Sequence, residues 1–157
     1  MDDWRDEQEL LVMDGHINVP YTWSAGEVGT TYLESLRDRK VFLGTRCPEC
    51  DIVYHIPRMH CPDCFSECSE WKELGSSGEL LTWTVARRPH PQLSPLEPPF
   101  GFGIIKLDGA DTGFLHLVYE FEEGGLRSGD RVEAVFADEP EGGILDVKYF
   151  RPVKGVE

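Results

Sequence analysis

Four of the five cysteines fall into two pairs of one spacing, Cys47-Pro48-Glu49-Cys50 and Cys61-Pro62-Asp63-Cys64, with ten residues between them. A two-residue gap lets a tight turn aim both sulfurs of a pair at one ion. Two such knuckles, each at the tip of a hairpin, complete a tetrahedral set of thiolates about 2.3 Å from a metal. The spacing points to a structural zinc held by Cys47, Cys50, Cys61 and Cys64. Four thiolates leave no open position for water, which counts against a catalytic zinc. Four sulfurs could also hold a single iron, as in a rubredoxin-like site. A redox dithiol suits two copies this close less well, and an iron–sulfur cluster suits the spacing less well.

Other reactive side chains lack a pattern. Cys68 is the odd thiol, and a small packed residue is a better reading of it than a nucleophile. His55 and His60 lie between the knuckles and read as loop residues, because no cysteine ligand is missing. A Cys68 pair with His55, His60, His90 or His116 is conceivable, but no spacing selects one. His116 sits in an alternating strand, where a packed or surface imidazole is the commoner outcome. The carboxylates Glu122-Glu123 and Glu139/Glu141 fall in turn-like, charge-rich stretches and read as solvated surface. No GxSxG, P-loop, GxGxxG or HExxH motif occurs. No self-sufficient active site is legible.

The elements that would carry the knuckles come in a clear order. Asp2 to Met13 reads as a tail or a short helix ordered only against something else. Val19-Pro20-Tyr21-Thr22-Trp23 is extended, either as an arm on a partner or as a strand on its own domain. A helix is expected from about Thr31 to Arg39, capped by Thr30 or Thr31 with Glu34 closing a capping box, and with Tyr32, Leu33 and Leu36 on its apolar side. Val41-Phe42-Leu43 then enters the cysteine block as a strand.

From Ser76 the pattern turns to strands. Leu81, Trp83 and Val85 alternate, followed by runs at Phe102 to Leu107, Phe114 to Tyr119 and Arg131 to Phe136, and by alternating Leu145, Val147 and Tyr149. Gly109, Gly124-Gly125, Gly129-Asp130 and Gly142-Gly143 supply the breaks. Five short strands in about eighty residues suggest a small closed barrel. Pro89 to Pro99 is too rich in proline for a strand and reads as a long loop, where small barrels often bind ligands. The expected division is therefore an N-terminal arm over 1–29, a helix plus the cysteine block over 30–75 and a small closed barrel over 76–157.

Composition narrows the partners. At 157 residues with 40% apolar content the chain can bury a core, and 15 Lys+Arg against 29 Asp+Glu give a net charge of −14. The arm and barrel carry −6 each and the cysteine block −2. Such a field repels phosphate backbones and disfavours nucleic acid. No apolar run reaches membrane-helix length, and the acidic start lacks a signal-peptide h-region. A cytoplasmic protein with metal or free thiols is expected.

The ordered series is more specific than either half alone. It runs Tyr32-Leu33-Glu34-Ser35-Leu36, the first knuckle, Pro57-Arg58, the second knuckle, Trp71, and Ser77-Gly78-Glu79-Leu80-Leu81-Thr82-Trp83-Thr84-Val85. It continues with Pro98-Pro99-Phe100, Gly103-Ile104-Ile105-Lys106-Leu107-Asp108-Gly109 and Gly129-Asp130-Arg131-Val132. Over roughly residues 30 to 152 this resembles the zinc-ribbon plus OB-fold family of acyl-CoA-associated proteins, long known as a domain of unknown function. One departure is Asp51 after the first knuckle, where the family usually has glycine.

The resemblance implies a mainly β protein: an N-terminal helix, a rubredoxin-like four-cysteine zinc ribbon, then a five-stranded OB-fold. It implies an accessory subunit of a thiolase-type acyl-CoA enzyme, in thiolytic cleavage, acyl transfer or hydroxymethylglutaryl-CoA synthesis, with hydratase-like partners in some members. An aromatic 3-oxoacyl-CoA thiolase is one possible member. Such a subunit docks through its ribbon and helix, its barrel lines an acyl-CoA channel, and the catalytic residues belong to the partner. If CoA binds, cations must meet its phosphates. Arg87 and Arg88 beside the proline loop are the candidates, with Lys106 behind them, and Pro98 to Phe102, including Phe100 and Phe102, would form the channel lip. Two alternatives remain: a single-stranded nucleic-acid module, since ribbons and OB barrels both bind oligonucleotides, and an independent enzyme using Cys68.

Overall fold

The computed structural model describes Gly15 and residues 19–89 and 94–153. The expected element at Asp2 to Met13 lies outside the described residues, as does His90 in the proline-rich segment. Residues 19–25 carry no regular structure; Tyr21 and Trp23 are exposed, with ring centroids 5.3 Å apart.

Helix α1 spans Gly26–Arg39 and so begins earlier than expected, crossing the 29/30 division. Thr31 does not cap it. Its hydroxyl donates back to the Glu27 carbonyl one turn earlier, and the Ncap position is Ala25, with no side-chain bond. Gly29, Thr30 and Thr31 are weak helix formers. The helix persists there because Tyr32, Ser35 and Leu36 are buried further along, and packing outweighs propensity. At the other end Lys40 adopts a left-handed conformation, and its N–H and that of Val41 reach the Leu36 and Ser35 carbonyls.

Three strands form the ribbon sheet: β1 (Phe42–Arg46), β2 (Val53–Tyr54) and β3 (Glu70–Leu74), in the order β2-β1-β3. Both pairings are antiparallel, with Thr45 opposite Tyr54 on one side and Trp71 on the other.

Five further strands close on themselves: β4 (Ser77–Ala86), β5 (Phe100–Leu107), β6 (Phe114–Val118), β7 (Arg131–Phe136) and β8 (Val147–Pro152). Their order is β4-β5-β6-β8-β7, with β7 returning to β4 and a parallel contact between β6 and β8. This is the five-stranded OB-fold barrel.

Two strand readings need correction. The alternation of Leu81, Trp83 and Val85 does not hold, because a bulge lies between Leu80 and Thr82. Leu80 is fully buried while Leu81 is exposed; one extra residue moves the inward set by one position. Leu145 is not part of the last strand either. Ile144–Asp146 forms a 3-10 turn, and Leu145 is 55% exposed. The buried Asp146 carboxylate accepts the N–H groups of Glu141, Gly142 and Gly143 at 2.8–3.2 Å, which bends the chain before β8 can begin.

Ribbon and barrel share one core. Tyr32 and Leu36 of α1 and Phe42 of β1 belong to the same buried cluster as Leu80, Ile105, Val118, Val132 and Phe150 of the barrel. Phe42 lies tilted against Phe114, Phe136 and Phe150, at centroid separations of 5.5–6.4 Å. Gly103 shows how tight this interior is: a Cβ there would approach Leu80 Cδ1 at 2.6 Å and Val118 Cγ2 at 2.8 Å.

Candidate metal centre and its surroundings

The β1–β2 turn presents Cys47 and Cys50, and the short hairpin closed by the His60–Glu67 bridge presents Cys61 and Cys64. The two knuckles are built alike. The Cys47 N–H donates to the Ile52 carbonyl at 2.9 Å, and the Cys47 carbonyl accepts from Asp51 N–H at 3.0 Å. In the second, the Cys61 N–H donates to the Ser66 carbonyl at 2.9 Å, and its carbonyl accepts from Phe65 N–H at 3.0 Å. Asp51 and Phe65 both take φ of 61°. The departure from glycine at Asp51 is thus accommodated in a left-handed turn. The Asp51 carboxylate pairs with Arg46 at 2.5 Å, which also pairs with Glu70.

All four sulfurs lie within 4.8 Å of one another. Cys47 to Cys64 is 3.4 Å and Cys50 to Cys61 is 3.9 Å. A tetrahedron with bonds of about 2.3 Å has edges of about 3.8 Å, so the set fits zinc. The electrostatics agree. Hydrogen bonds from Cys64 and Cys61 push the Cys50 thiol up. The Tyr54 hydroxyl, 3.2 Å from Cys61 Sγ, draws that thiol down to about 6. Bonds from Ser66 lower Cys64. Left alone, the four sulfurs must share protons; a bound divalent cation ionises all four.

Beneath the sulfurs, Cys47, Tyr54, Cys61 and Cys68 form a separate buried cluster. Cys68 is 4% exposed and burial raises its thiol, so it has the character of packing material and not of a nucleophile.

His55 lies in the bend that follows β2, a loop residue as expected, yet it is 3% exposed, at the junction of ribbon and barrel. Its Nδ1 lies 3.1 Å from the Leu43 carbonyl and Nε2 has no hydrogen-bond partner. Its ring meets Phe114 edge-on at 4.5 Å and also abuts Tyr32 and Phe42. Desolvation lowers it to about 4, with a smaller lowering contribution from His116. The barrel turn between β5 and β6 grips its backbone. Thr112 Oγ1 accepts from His55 N–H and donates to its carbonyl, and Asp111 pairs with Val53 through both backbone and carboxylate. His116 is buried on β6, as a packed imidazole should be.

The residues singled out for CoA do not form one group. Arg87 and Arg88 are exposed beyond the end of β4, and Arg87 pairs with Glu123 at 2.9 Å. Lys106 does not stand behind them. It pairs with Glu79, whereas Ala86 pairs with Phe100, so about 20 Å of strand separates the two ends. Phe100 is fully buried beneath Leu96 of the proline-rich segment and forms no lip. Phe102 is half-buried and lines a surface hollow with Leu115, Leu117, Ile144 and Leu145. Among the described residues no helix is long and apolar enough to cross a membrane.

Comparison with known proteins matches both halves to one family. Residues 35–68 match the rubredoxin-like zinc ribbon domain of ChsH2, and residues 71–137 match its C-terminal OB-fold domain. A DUF35 domain-containing scaffold protein of Methanocaldococcus jannaschii is 28% identical over 127 residues, covering 76% of this chain and 86% of that protein. Among solved structures, an Ltp2-ChsH2(DUF35) aldolase chain aligns with a TM-score of 0.58 at 22% identity, covering 78% of this chain and 91% of that one. A DUF35-family protein of unknown function from Sulfolobus solfataricus aligns with a TM-score of 0.59 at 16% identity, over 81% and 84% of the two chains. These two structural matches speak to the fold.

Proposed function

Starting from the fact that this chain belongs to the ChsH2/DUF35 family of zinc-ribbon plus OB-fold proteins, we propose that it is an accessory subunit of a thiolase-type enzyme acting on acyl-CoA. One observation carries the reading most. The sulfur set is complete, with four thiolates converging on one point, and the remaining thiol, Cys68, is buried and hard to ionise. Metal-assisted or covalent chemistry at a carbonyl or thioester needs an open metal position or an accessible nucleophile beside a base. Neither is legible among the described residues, and in this reading the catalytic groups belong to a partner. The names of its relatives lean the same way, one being a scaffold protein and another an aldolase named for two components.

In this reading zinc supplies rigidity to the knuckles, and the chain's own residues do the docking. Arg87 and Arg88 are the proposed contacts for the CoA phosphates. The exposed pairing of Arg87 with Glu123 is weak enough to be exchanged. Zinc, a soluble cytoplasmic setting and a catalytic partner complete the proposal.

The test is gentle affinity purification of the full chain from its source cells, with co-purifying chains identified by mass spectrometry. A thiolase-type enzyme at near-equal stoichiometry is the expected result. Recovery of the chain alone, or with nucleic acid, overturns the reading. In the assembled complex, Arg87→Glu with Arg88→Glu should raise KM for acyl-CoA and leave assembly intact.

A further inference from the structure

Strands β5 and β6 are largely apolar on both faces, with Lys106 on the outward set of β5 and His116 on the inward set of β6. Their inward residues, such as Ile105, Leu107, Phe114 and Val118, fill the barrel. Their outward residues pair across the ladder as Phe102 with Leu117 and Ile104 with Leu115. Strands of this composition are found where both faces are covered. Here the outer face is covered only in part. Leu96 packs over Phe100, Leu117 and Tyr149 at one end. At the other end Leu115 is 62% exposed, Leu145 55% and Ile144 43%. With Phe102, Leu117 and His116 they surround an open hollow of about 160 Å³, a volume close to the roughly 150 Å³ that accommodates a benzene ring.

Two features say what fits there. Ile144 and Leu145 also border a second hollow, lined by Glu139 and Glu141. Both glutamates are exposed and give the apolar site an acidic rim; the nearby Asp138 is paired with Lys148 at 3.9 Å and adds no net charge to it. The segment bearing the ridge is also held in place. The buried Asp146 carboxylate binds three successive N–H groups, from Glu141 to Gly143, so little ordering remains to oppose association.

We propose that this face of the barrel is a docking site for the catalytic subunit, receiving one aromatic or leucine-sized side chain flanked by lysine or arginine. The proposal rests on the accessory-subunit reading and adds a surface to it. The acidic rim selects a protein partner over the acyl chain of a CoA thioester, whose phosphates it would repel. It assigns Phe102 to the protein contact and leaves Arg87 and Arg88 to the cofactor end. An anchor seated in a pocket, ringed by complementary charge, is the arrangement that concentrates binding energy in few residues.

The experiment uses the full chain and the catalytic subunit that it retains in the affinity purification, both then purified, with binding followed by surface plasmon resonance. Leu115→Glu and Leu145→Asp should each weaken binding by about 100-fold, mainly through faster dissociation. Glu139→Lys with Glu141→Lys should slow association several-fold and reduce its salt dependence. Val153→Asp, an exposed apolar position at the far end of β8, should bind as wild type. All variants should melt with the wild type, since every altered side chain is exposed. If the two leucine variants bind within twofold of wild type, the docking face is wrong while the accessory-subunit reading stands. If the wild-type chain retains no catalytic subunit, both fall together. If the isolated chain is a dimer that Leu145→Asp makes monomeric, the occupant is a second copy and the proposal is overturned. Octanoyl-CoA binding to the isolated chain that Leu115→Glu abolishes would overturn it as well.

Discussion

Beneath the knuckles the buried cluster consists of three cysteines and one tyrosine, Cys47, Cys61, Cys68 and Tyr54, whereas the barrel is filled by Leu80, Ile105, Leu107, Phe114, Val118, Val132 and Phe150. The first has too little apolar area to offset the entropy of ordering its loops. The second buries enough to stand on hydrophobic packing and a closed hydrogen-bond ladder. Yet α1 and β1 lend Tyr32, Leu36 and Phe42 to the barrel's core. The base of the ribbon therefore belongs energetically to the barrel, and only its tip depends on metal. The boundary of zinc dependence runs through the ribbon, somewhere between Phe42 and Cys47, and not between the two domains.

The sharpest way to break this comparison is to remove the metal. Stripping zinc with a chelator should cost the tip most of a binding free energy on the order of 10 kcal/mol. Hydrogen exchange should rise at residues 47–68 and stay slow in β4 to β8 and in Tyr32–Phe42. Loss of protection throughout the barrel would show that the two regions are one metal-dependent unit.

A smaller effect tests the junction. Burial pushes the His55 imidazole from its ordinary 6.5 down to about 4. A base whose value is depressed on folding binds more protons when unfolded. Its contribution to stability is complete above pH 6.5 and is lost as pH falls toward 4. The shift corresponds to about 3 kcal/mol. Urea midpoints measured from pH 7 to pH 4.5 should therefore fall more steeply for wild type than for His55→Gln. Parallel curves would mean that the imidazole is not the group sensing acid.

The smallest effect concerns the grip of the barrel turn. Thr112→Val removes both hydrogen bonds to the His55 backbone and should cost about 1–2 kcal/mol. Near-ultraviolet circular dichroism should show the aromatic cluster loosening before the barrel unfolds. A wild-type denaturation midpoint would show that packing alone holds the junction.

Much of this was legible in the chain. Four ligands at fixed spacing are a local signal, because each knuckle is one turn. Glycine breaks at Gly109 and Gly129-Asp130 and alternation in Arg131–Phe136 likewise mark barrel elements, and β7 has the expected bounds. The departures arise where distant residues decide. Leu81 faces out because a bulge forms against Ile104 and Ile105 of β5. The helix start is set by what Tyr32 and Leu36 touch, not by its own poor formers. Spacing gives His55 no ligand's role and shows nothing of its burial, because its partners are Leu43, Thr112 and Phe114, and no short window contains them. In the CoA set, Phe100 and Lys106 sit at opposite ends of one strand, a separation that only the strand register shows.

The strand order of the barrel also has a meaning in time. The knuckles and the ribbon sheet are complete by Leu74, whereas β8 must emerge before β7 and β6 can be joined. Chains leave the ribosome at about 5–20 residues per second and fold from the N-terminal side. The thiolates are thus translated and able to capture their ion while the barrel that shields Phe42 is still an open sheet. For those few seconds the apolar base of the ribbon waits exposed for Phe150 to arrive.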